Sequence, residues 1–191
     1  MRPACTPILS YTSLSSSQAM QDKNKRTKTK IVALILAVVL SVVYATTTCT
    51  DYAIHAGAPL PDALLYMSMH GNVWHLLANL WSFLTIVFIW NETPTRLLTA
   101  LAIASAFGLI YSLAPQAEWN ARPVAGLSTY IYACVGLHTY IFPRPLRTGA
   151  YILMSIIVYG IIFPQSALLA HLFCYIAGLI IATFFTPIIK K

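Results

Sequence analysis

The chain has 191 residues, of which 58% are hydrophobic and only 9% are charged, and its formal net charge is +7. A soluble domain carries about 25% charged residues, so this composition excludes an ordinary soluble protein and indicates one that crosses a membrane several times. The basic residues lie in the N-terminal tail and between apolar runs, which is typical of membrane topology signals. We therefore expect a lipid bilayer as the surroundings and no nucleic acid partner.

Six apolar segments are long enough to be candidate membrane spans. Proline-containing breaks such as Asn91-Glu92-Thr93-Pro94 and Ala121-Arg122-Pro123 separate them, because proline disfavours a continuous helix. The sequence thus predicts an all-α membrane protein with six transmembrane helices. The predicted spans are Ile31–Thr47, Val73–Trp90, Leu97–Leu113, Val124–Phe142, Gly149–Phe163 and Ser166–Phe185.

Positive charge predicts the orientation of these spans, because cytoplasmic flanks are enriched in Lys and Arg. With the N-terminus inside, every Lys and Arg except Arg122 falls on the cytoplasmic side. Both termini are then cytoplasmic. We expect a basic N-terminal tail over residues 1–30, one membrane domain over residues 31–187 and a short C-terminal tail over residues 188–191. The first span is interpreted as uncleaved rather than as a signal peptide, and Met20 is a natural start.

Cysteine usage gives no sign of a disulfide or a zinc site. The four cysteines have no paired or CxxC spacing, and two of them, Cys134 and Cys174, lie inside apolar runs where they behave as small hydrophobic residues. No metal site and no cofactor are expected.

Polar residues of the second, fourth and sixth spans lie at a similar depth. All three spans enter from the outer side, and a helix rises about 1.5 Å per residue, so His75, Asn79, Ser128 and His171 all fall within roughly 10 Å of the outer boundary. Taken singly, each has an ordinary structural interpretation: a serine in a span often bonds its own preceding turn, and a histidine often marks an interface. Four polar groups at one level nevertheless indicate a single site, because buried polar groups in a membrane pair with each other.

Three separated motifs resemble those of the rhomboid intramembrane serine proteases. The fourth span carries a GxSx serine motif at Gly126-Leu127-Ser128-Thr129, and the second carries His-x4-His-x3-Asn as His70, His75 and Asn79. The sixth span carries the histidine of HxxGxxxG as His171, with Gly178 at its second glycine. The resemblance covers nearly all of residues 31–187 and implies a six-helix rhomboid-like bundle.

The resemblance also implies roles for these residues. Ser128 would be the nucleophile and His171 its general base, while His75 and Asn79, with the Ser128 N–H, would stabilise the oxyanion. Tyr132 matches the aromatic position that packs on the histidine, and His70, Gly126 and Gly178 would support the site. The chemistry is coherent in itself, because a serine hydroxyl needs a neutral imidazole to take its proton and its oxyanion needs preorganised donors.

The acidic residues exclude other protease classes. All five lie in the tail or in loops, so there is no intramembrane aspartate pair, and no HExxH motif for zinc occurs. A proton-coupled carrier built on buried acids is disfavoured for the same reason.

Three departures from the family pattern bear on substrate binding and packing. Thr129 replaces the usual glycine after the serine, which suggests a narrower substrate groove. Cys174 replaces the first glycine of the sixth-span motif, which suggests slightly wider packing of the fourth and sixth spans. The first loop is short and lacks the family's Trp-Arg pair, with Pro61-Asp62 near the expected place.

The sequence thus predicts an intramembrane serine endopeptidase that cleaves transmembrane protein substrates in or near their membrane segments, in the plasma membrane. A catalytically inactive rhomboid-like protein that binds transmembrane clients is the first alternative. The second is a haem- or quinone-binding bundle that uses His70, His75 or His171 as ligands.

Overall fold

The computed structural model describes residues 16–48, 52–115, 123–163 and 167–189, and these ranges contain helices and loops but no strand. The loop after the first long helix contains a six-residue helix and a 3-10 helix (Tyr66–Ser68). The helices are α1 Ser16–Thr46, α2 Leu60–Leu65, α3 Val73–Phe88, α4 Pro94–Leu113, α5 Ser128–Thr139, α6 Pro145–Ile162 and α7 Leu168–Ile189.

Each of the six predicted spans overlaps with a helix, namely α1 and α3 to α7. Within the described ranges, three helices are long and apolar enough to cross a membrane, and the count rises to four if the bent pair Leu60–Ser68 and Val73–Phe88 is one span. Helix α7 is apolar as well, with a shorter stretch over Leu168–Phe184. The prediction of an all-α, multi-pass membrane protein is confirmed at this level.

Helix α1 is longer than the predicted first span. It begins at Ser16 and continues to Thr46, so the basic segment expected as a tail is helical from that residue on. No glycine or proline interrupts this stretch, and Lys, Arg, Gln and Ala are good helix formers. Residues 1–15 of the predicted tail and residues 190–191 at the C-terminal end lie outside the described residues, as does Arg122.

Helix α5 is shorter than the predicted fourth span, because it begins at Ser128 rather than at Val124 and ends at Thr139 rather than at Phe142. The preceding segment is held in a non-helical form by two backbone hydrogen bonds between Ile54 and Val124, at 2.9 and 2.8 Å, and by one from Gly126 N–H to Tyr66 C=O at 2.9 Å. Pro123, directly before this segment, has no N–H to continue a helix. The serine therefore stands at the very start of a helix.

The loop after α1 is a packed part of the fold. Pro59 precedes α2, and Asp62 lies in its first turn, where a negative charge complements the helix dipole. Tyr66 is fully buried and donates a hydrogen bond from its hydroxyl to Ala104 C=O of α4 at 2.9 Å. Gly108 of α4 lies beneath Ala63 and Tyr66, and a side chain there would collide with both. This contact fixes the loop on α4 and so supports the segment before Ser128.

Helices α5 and α7 form the most extensive contact between two helices of the described structure, and α4 packs on both. Gly136 of α5 and Gly178 of α7 lie directly opposite each other, and a Cβ on either would meet backbone atoms of the other helix. Small residues permit this approach of two backbones. The close contact holds the N-terminal ends of α5 and α7 side by side.

Candidate active site

Ser128 occupies the first turn of α5. Leu127 before it already has helical dihedral angles (φ −68°, ψ −7°), and the first hydrogen bond of the helix runs from Ile131 N–H to Leu127 C=O at 3.1 Å. The N–H groups of Ser128, Thr129 and Tyr130 thus have no partner inside the helix. These N–H groups and the positive end of the helix dipole favour negative charge beside the serine.

The backbone conformation and the close packing at position 126 both require a glycine. The φ of Gly126 is +114°, a region that residues with a side chain rarely adopt. A Cβ at this position would also lie 2.7 Å from His75 Cε1 and 3.3 Å from Asn79 Nδ2. The glycine of the serine motif therefore brings the loop before Ser128 against the polar residues of α3.

His171 lies in the first turn of α7 and contacts Ser128. Its Nε2 is 2.8 Å from Ser128 Oγ, a normal hydrogen-bond distance, and the residue is only 7% exposed. The two residues are 43 positions apart in sequence and come together because α5 and α7 pack side by side from their N-terminal ends.

Tyr132 packs on the histidine. It lies four residues after Ser128, on the same face of α5, and its ring centroid is 4.4 Å from that of His171, with the planes 33° apart. This contact restricts rotation of the imidazole and keeps Nε2 toward the serine. The resemblance implied this position for Tyr132, and the structure places it there.

Asn79 and His75 belong to the first two turns of α3. Asn72 caps this helix by accepting a hydrogen bond from His75 N–H at 2.9 Å. Asn79 is buried, and its Nδ2 has no hydrogen-bond partner within the described part of the chain. An amide donor left unpaired in a buried site costs free energy, which indicates that it is kept for another purpose. It lies beside Gly126, two residues from the serine.

His70 lies beside His75. It is buried, its Nδ1 lies 3.2 Å from Ser68 C=O, and its ring meets that of His75 edge to face with centroids 5.2 Å apart. Its position fits a residue that orients His75.

Gly178 and Cys174 lie on the buried face of α7 with His171. The sequence suggested that Cys174 widens the packing of the two helices, but the backbones still meet directly one turn later, where Gly178 Cα faces Gly136. The fully buried thiol is accommodated without separating the helices there. Gly136 was missed in the sequence, although it lies eight residues after Ser128 and so continues the stripe formed with Tyr132.

Thr129 faces the interior of the protein rather than an open groove, contrary to the prediction. It is fully buried, and its Oγ1 lies 2.8 Å from the hydroxyl of Tyr66, which in turn donates to Ala104 C=O. Because α5 begins at Ser128, the next residue points about 100° away around the helix, toward α4 and the 3-10 helix. Thr129 therefore ties the start of α5 to the buried loop.

A second polar cluster, missed in the sequence, lies near the other end of α5. Glu92, in the loop between α3 and α4, is buried and pairs with His138 Nδ1 of α5 and with Arg96 Nη1 of α4 at 3.1 Å. Trp90 stacks on His138 with ring centroids 4.4 Å apart. Burial raises the pKa of Glu92, but the His138 hydrogen bond and the Arg96 charge outweigh burial, so this pKa lies below its ordinary value.

The arrangement around Ser128 can perform nucleophilic chemistry. It joins a hydroxyl to an imidazole and places the hydroxyl at a helix N-terminus, and an unpaired amide donor lies against Gly126, two residues before the serine. Among the residues that the structure describes, no group of three His, Cys, Asp or Glu side chains is placed to hold a metal ion.

The fold and the site define an all-helical, multi-pass membrane protein with a half-buried serine in contact with a buried histidine. A family model of the Rhomboid domain matches residues 58–188. The chain therefore belongs to the rhomboid family, whose members are generally intramembrane serine proteases and include inactive forms. Comparison with curated proteins gave no match, and comparison with solved structures gave none.

Proposed function

We propose that this protein is an intramembrane serine endopeptidase that works with a Ser128–His171 dyad. The observation that carries the proposal is the 2.8 Å contact between His171 Nε2 and Ser128 Oγ at the N-terminal end of a buried helix. Membership of the rhomboid family supports the same reaction class. Its substrates would be membrane proteins cut in or near a transmembrane segment.

In the first half of the reaction, Ser128 Oγ attacks the carbonyl carbon of the scissile peptide bond while His171 Nε2 takes the hydroxyl proton. The tetrahedral intermediate then collapses, and the C–N bond breaks as His171 gives this proton to the leaving nitrogen. An acyl-enzyme on Ser128 and a free amine product result.

The oxyanion of the intermediate needs donors that are already in place. Asn79 Nδ2, buried and unpaired, and the Ser128 N–H at the start of α5 are the two that we assign, with His75 beside Gly126 as a third polar group. One such donor typically contributes about 2.7–4 kcal/mol to transition-state stabilisation.

The second half of the reaction repeats these steps with water. His171 removes a proton from the water, whose oxygen attacks the acyl carbon, and the Ser128 oxygen leaves and regains its proton. The scheme uses side chains and backbone groups of this chain alone and needs no cofactor.

Six membrane spans, formed by α1 and α3 to α7, would cross the plasma membrane. Both termini would lie in the cytoplasm. The distribution of Lys and Arg supports this orientation, since only Arg122 falls outside. Residues 31–187 would form the protease domain, between a basic tail at 1–30 and a short tail at 188–191. Water and substrate would reach Ser128 from the outer side.

The test is labelling of the detergent-solubilised protein by a fluorophosphonate serine probe. We expect wild type to be labelled and both Ser128→Ala and His171→Ala to lose labelling, because the first removes the nucleophile and the second its base. Ser82→Ala, at a half-buried serine of α3 that bonds its own preceding turn, is the control that should label normally. Folded wild type that takes no label would contradict the proposal and favour an inactive rhomboid-like protein that binds transmembrane clients.

A further inference from the structure

An apolar groove of about 580 Å³ lies between α1 and α4. Leucines of these two helices line its sides, among them Leu36 and Leu40 on α1 and Leu97 and Leu101 on α4. Helix α1 packs more extensively on α3 than on α4, which leaves the groove between α1 and α4 open. The volume lies within the usual range of small-molecule sites, about 300–1,000 Å³.

One end of the groove is cationic. Lys25 and Lys28 line it there, on one face of α1, and both are exposed. The ion pairs of the described residues join Glu92 to Arg96 and His138, so neither lysine is neutralised by a carboxylate in that part of the chain. From Lys28 the groove continues along α1 to Leu40, about 18 Å away at 1.5 Å per residue.

The groove is thus complementary to a molecule with one anionic end and a long hydrocarbon chain. We propose that it binds an anionic phospholipid, with the phosphate on Lys25 and Lys28 and one acyl chain along Leu36 and Leu40. Basic pockets between transmembrane helices suit acidic lipid head groups. Two lysines at one end and hydrocarbon along the rest favour a lipid over a second protein, whose helix would present side chains of its own along the whole groove.

The far end of the groove reaches the segment that positions the serine. Leu127 and Tyr130, on either side of Ser128 in the chain, line the groove there. An acyl chain in the groove would fill space against α5, so bound lipid should stabilise the folded protein whether or not it is an active protease.

The head-group contact is tested with the full chain, delipidated in detergent and titrated with dioleoyl phosphatidylglycerol or dioleoyl phosphatidylcholine under native mass spectrometry. We expect retention of one phosphatidylglycerol, preferred over phosphatidylcholine by about tenfold or more, and loss of this preference in Lys25→Gln/Lys28→Gln. The matched control is Lys23→Gln/Arg26→Gln, which removes the same charge from α1 at positions outside the groove. Equal loss in both double variants, or no preference in wild type, would overturn the proposal.

The acyl-chain contact is tested by filling the groove. Leu36→Trp places a ring in the groove, while Leu34→Trp adds the same ring on a lipid-facing position of α1 outside it. We expect the first to lose the retained lipid and the rise in thermal midpoint that phosphatidylglycerol produces, and the second to keep both. A photo-crosslinking group at position 36 should capture lipid in vesicles that contain phosphatidylglycerol, and capture of a second copy of this chain instead would contradict the proposal.

Discussion

Three residues near Ser128, namely Gly126, His75 and Asn79, lie close together and leave one hydrogen-bond donor without a partner. Gly126 has no side chain, so His75 and Asn79 can approach the loop, and Asn79 keeps an amide donor unpaired in a buried place. A folded protein rarely leaves such a group without a partner. The simplest account is that the partner is the developing oxyanion of a bound substrate.

Replacing Asn79 by alanine tests this account. We expect the rate of fluorophosphonate labelling to fall by roughly a hundred- to thousandfold, because one donor to the oxyanion is lost, while thermal stability stays the same or rises. Labelling kinetics and thermal unfolding of the same preparation check both parts. A stability loss as large as that of a core truncation, with an unchanged labelling rate, would instead make Asn79 a structural residue.

The side-chain direction of Thr129 cannot be predicted without knowing at which residue α5 begins. Its hydroxyl contacts Tyr66 in the core, so Thr129→Gly removes a buried hydrogen bond and adds backbone freedom to the first turn of α5. We expect a loss of about 2 kcal/mol in unfolding free energy. Thermal unfolding in detergent measures it, with Thr129→Ser, which keeps the hydroxyl, as the matched control. If Thr129→Gly left stability unchanged and cleaved bulky substrates faster, Thr129 would instead line the substrate groove.

At the scale of the helices, the contact between α5 and α7 sets the geometry of the site. The pair Gly136 and Gly178 forms a close backbone contact between them, and it lies about two turns from Ser128 on α5 and from His171 on α7. Any separation of the helices at this point would therefore tilt the serine away from the histidine.

Gly136→Ala should separate the helices. Its Cβ would meet Leu179 N at 2.9 Å and Gly178 Cα at 3.1 Å, both backbone atoms that cannot move without shifting α7. Overpacking of this kind typically costs about 1–3 kcal/mol, and labelling of Ser128 should fall with stability. Gly149→Ala is the control, because its Cβ would lie 3.3 Å from Tyr175 Oη and 3.4 Å from Thr139 Cγ2, which are side-chain atoms. If Gly136→Ala and Gly149→Ala kept stability and labelling equally well, the close contact of α5 and α7 would not determine the geometry of the site.

Across the whole molecule, α5 carries one polar cluster near each end. Ser128 stands at its first residue and His138 ten residues later, about 15 Å along the axis, where Glu92 and Arg96 join it. The second cluster connects the loop between α3 and α4 to α5, so it fixes three helices at the end away from the serine.

Glu92→Gln should destabilise the whole bundle by about 3 kcal/mol, because it leaves the charge of Arg96 without its partner. The pKa of Glu92 lies below its ordinary value of 4.5 in the fold. Its contribution to stability is therefore complete above about pH 4.5 and is lost as the pH falls through the lower pKa of the folded state. The thermal midpoint of wild type should decrease in that window, and that of Glu92→Gln should lack this component. Asp22→Asn, an exposed acid of α1, should behave as wild type.

Sequence patterns predicted α1 and α3 to α7 as helices and drew attention to four polar residues, because span length and depth depend on local composition. These residues are His75, Asn79, Ser128 and His171. Other features required the fold. The contact of Glu92 with His138 joins residues 46 positions apart, and α2 packs on α4 through buried contacts that a loop sequence does not reveal. The direction of Thr129 depended on where α5 begins, and periodicity is least informative at helix ends.

The short length of α5 has a consequence for the depth of Ser128 in the bilayer. Twelve residues span about 18 Å, whereas the twenty residues of α4 span about 30 Å, close to a full hydrocarbon core. The residues of α5 are buried among the other helices, so the bilayer adapts to the longer helices, and Ser128 at the first residue of α5 stays within the hydrocarbon depth. Reconstitution in lipids of decreasing acyl length should therefore bring Ser128 nearer to the aqueous phase and speed its phosphonylation, until the longer helices are themselves mismatched.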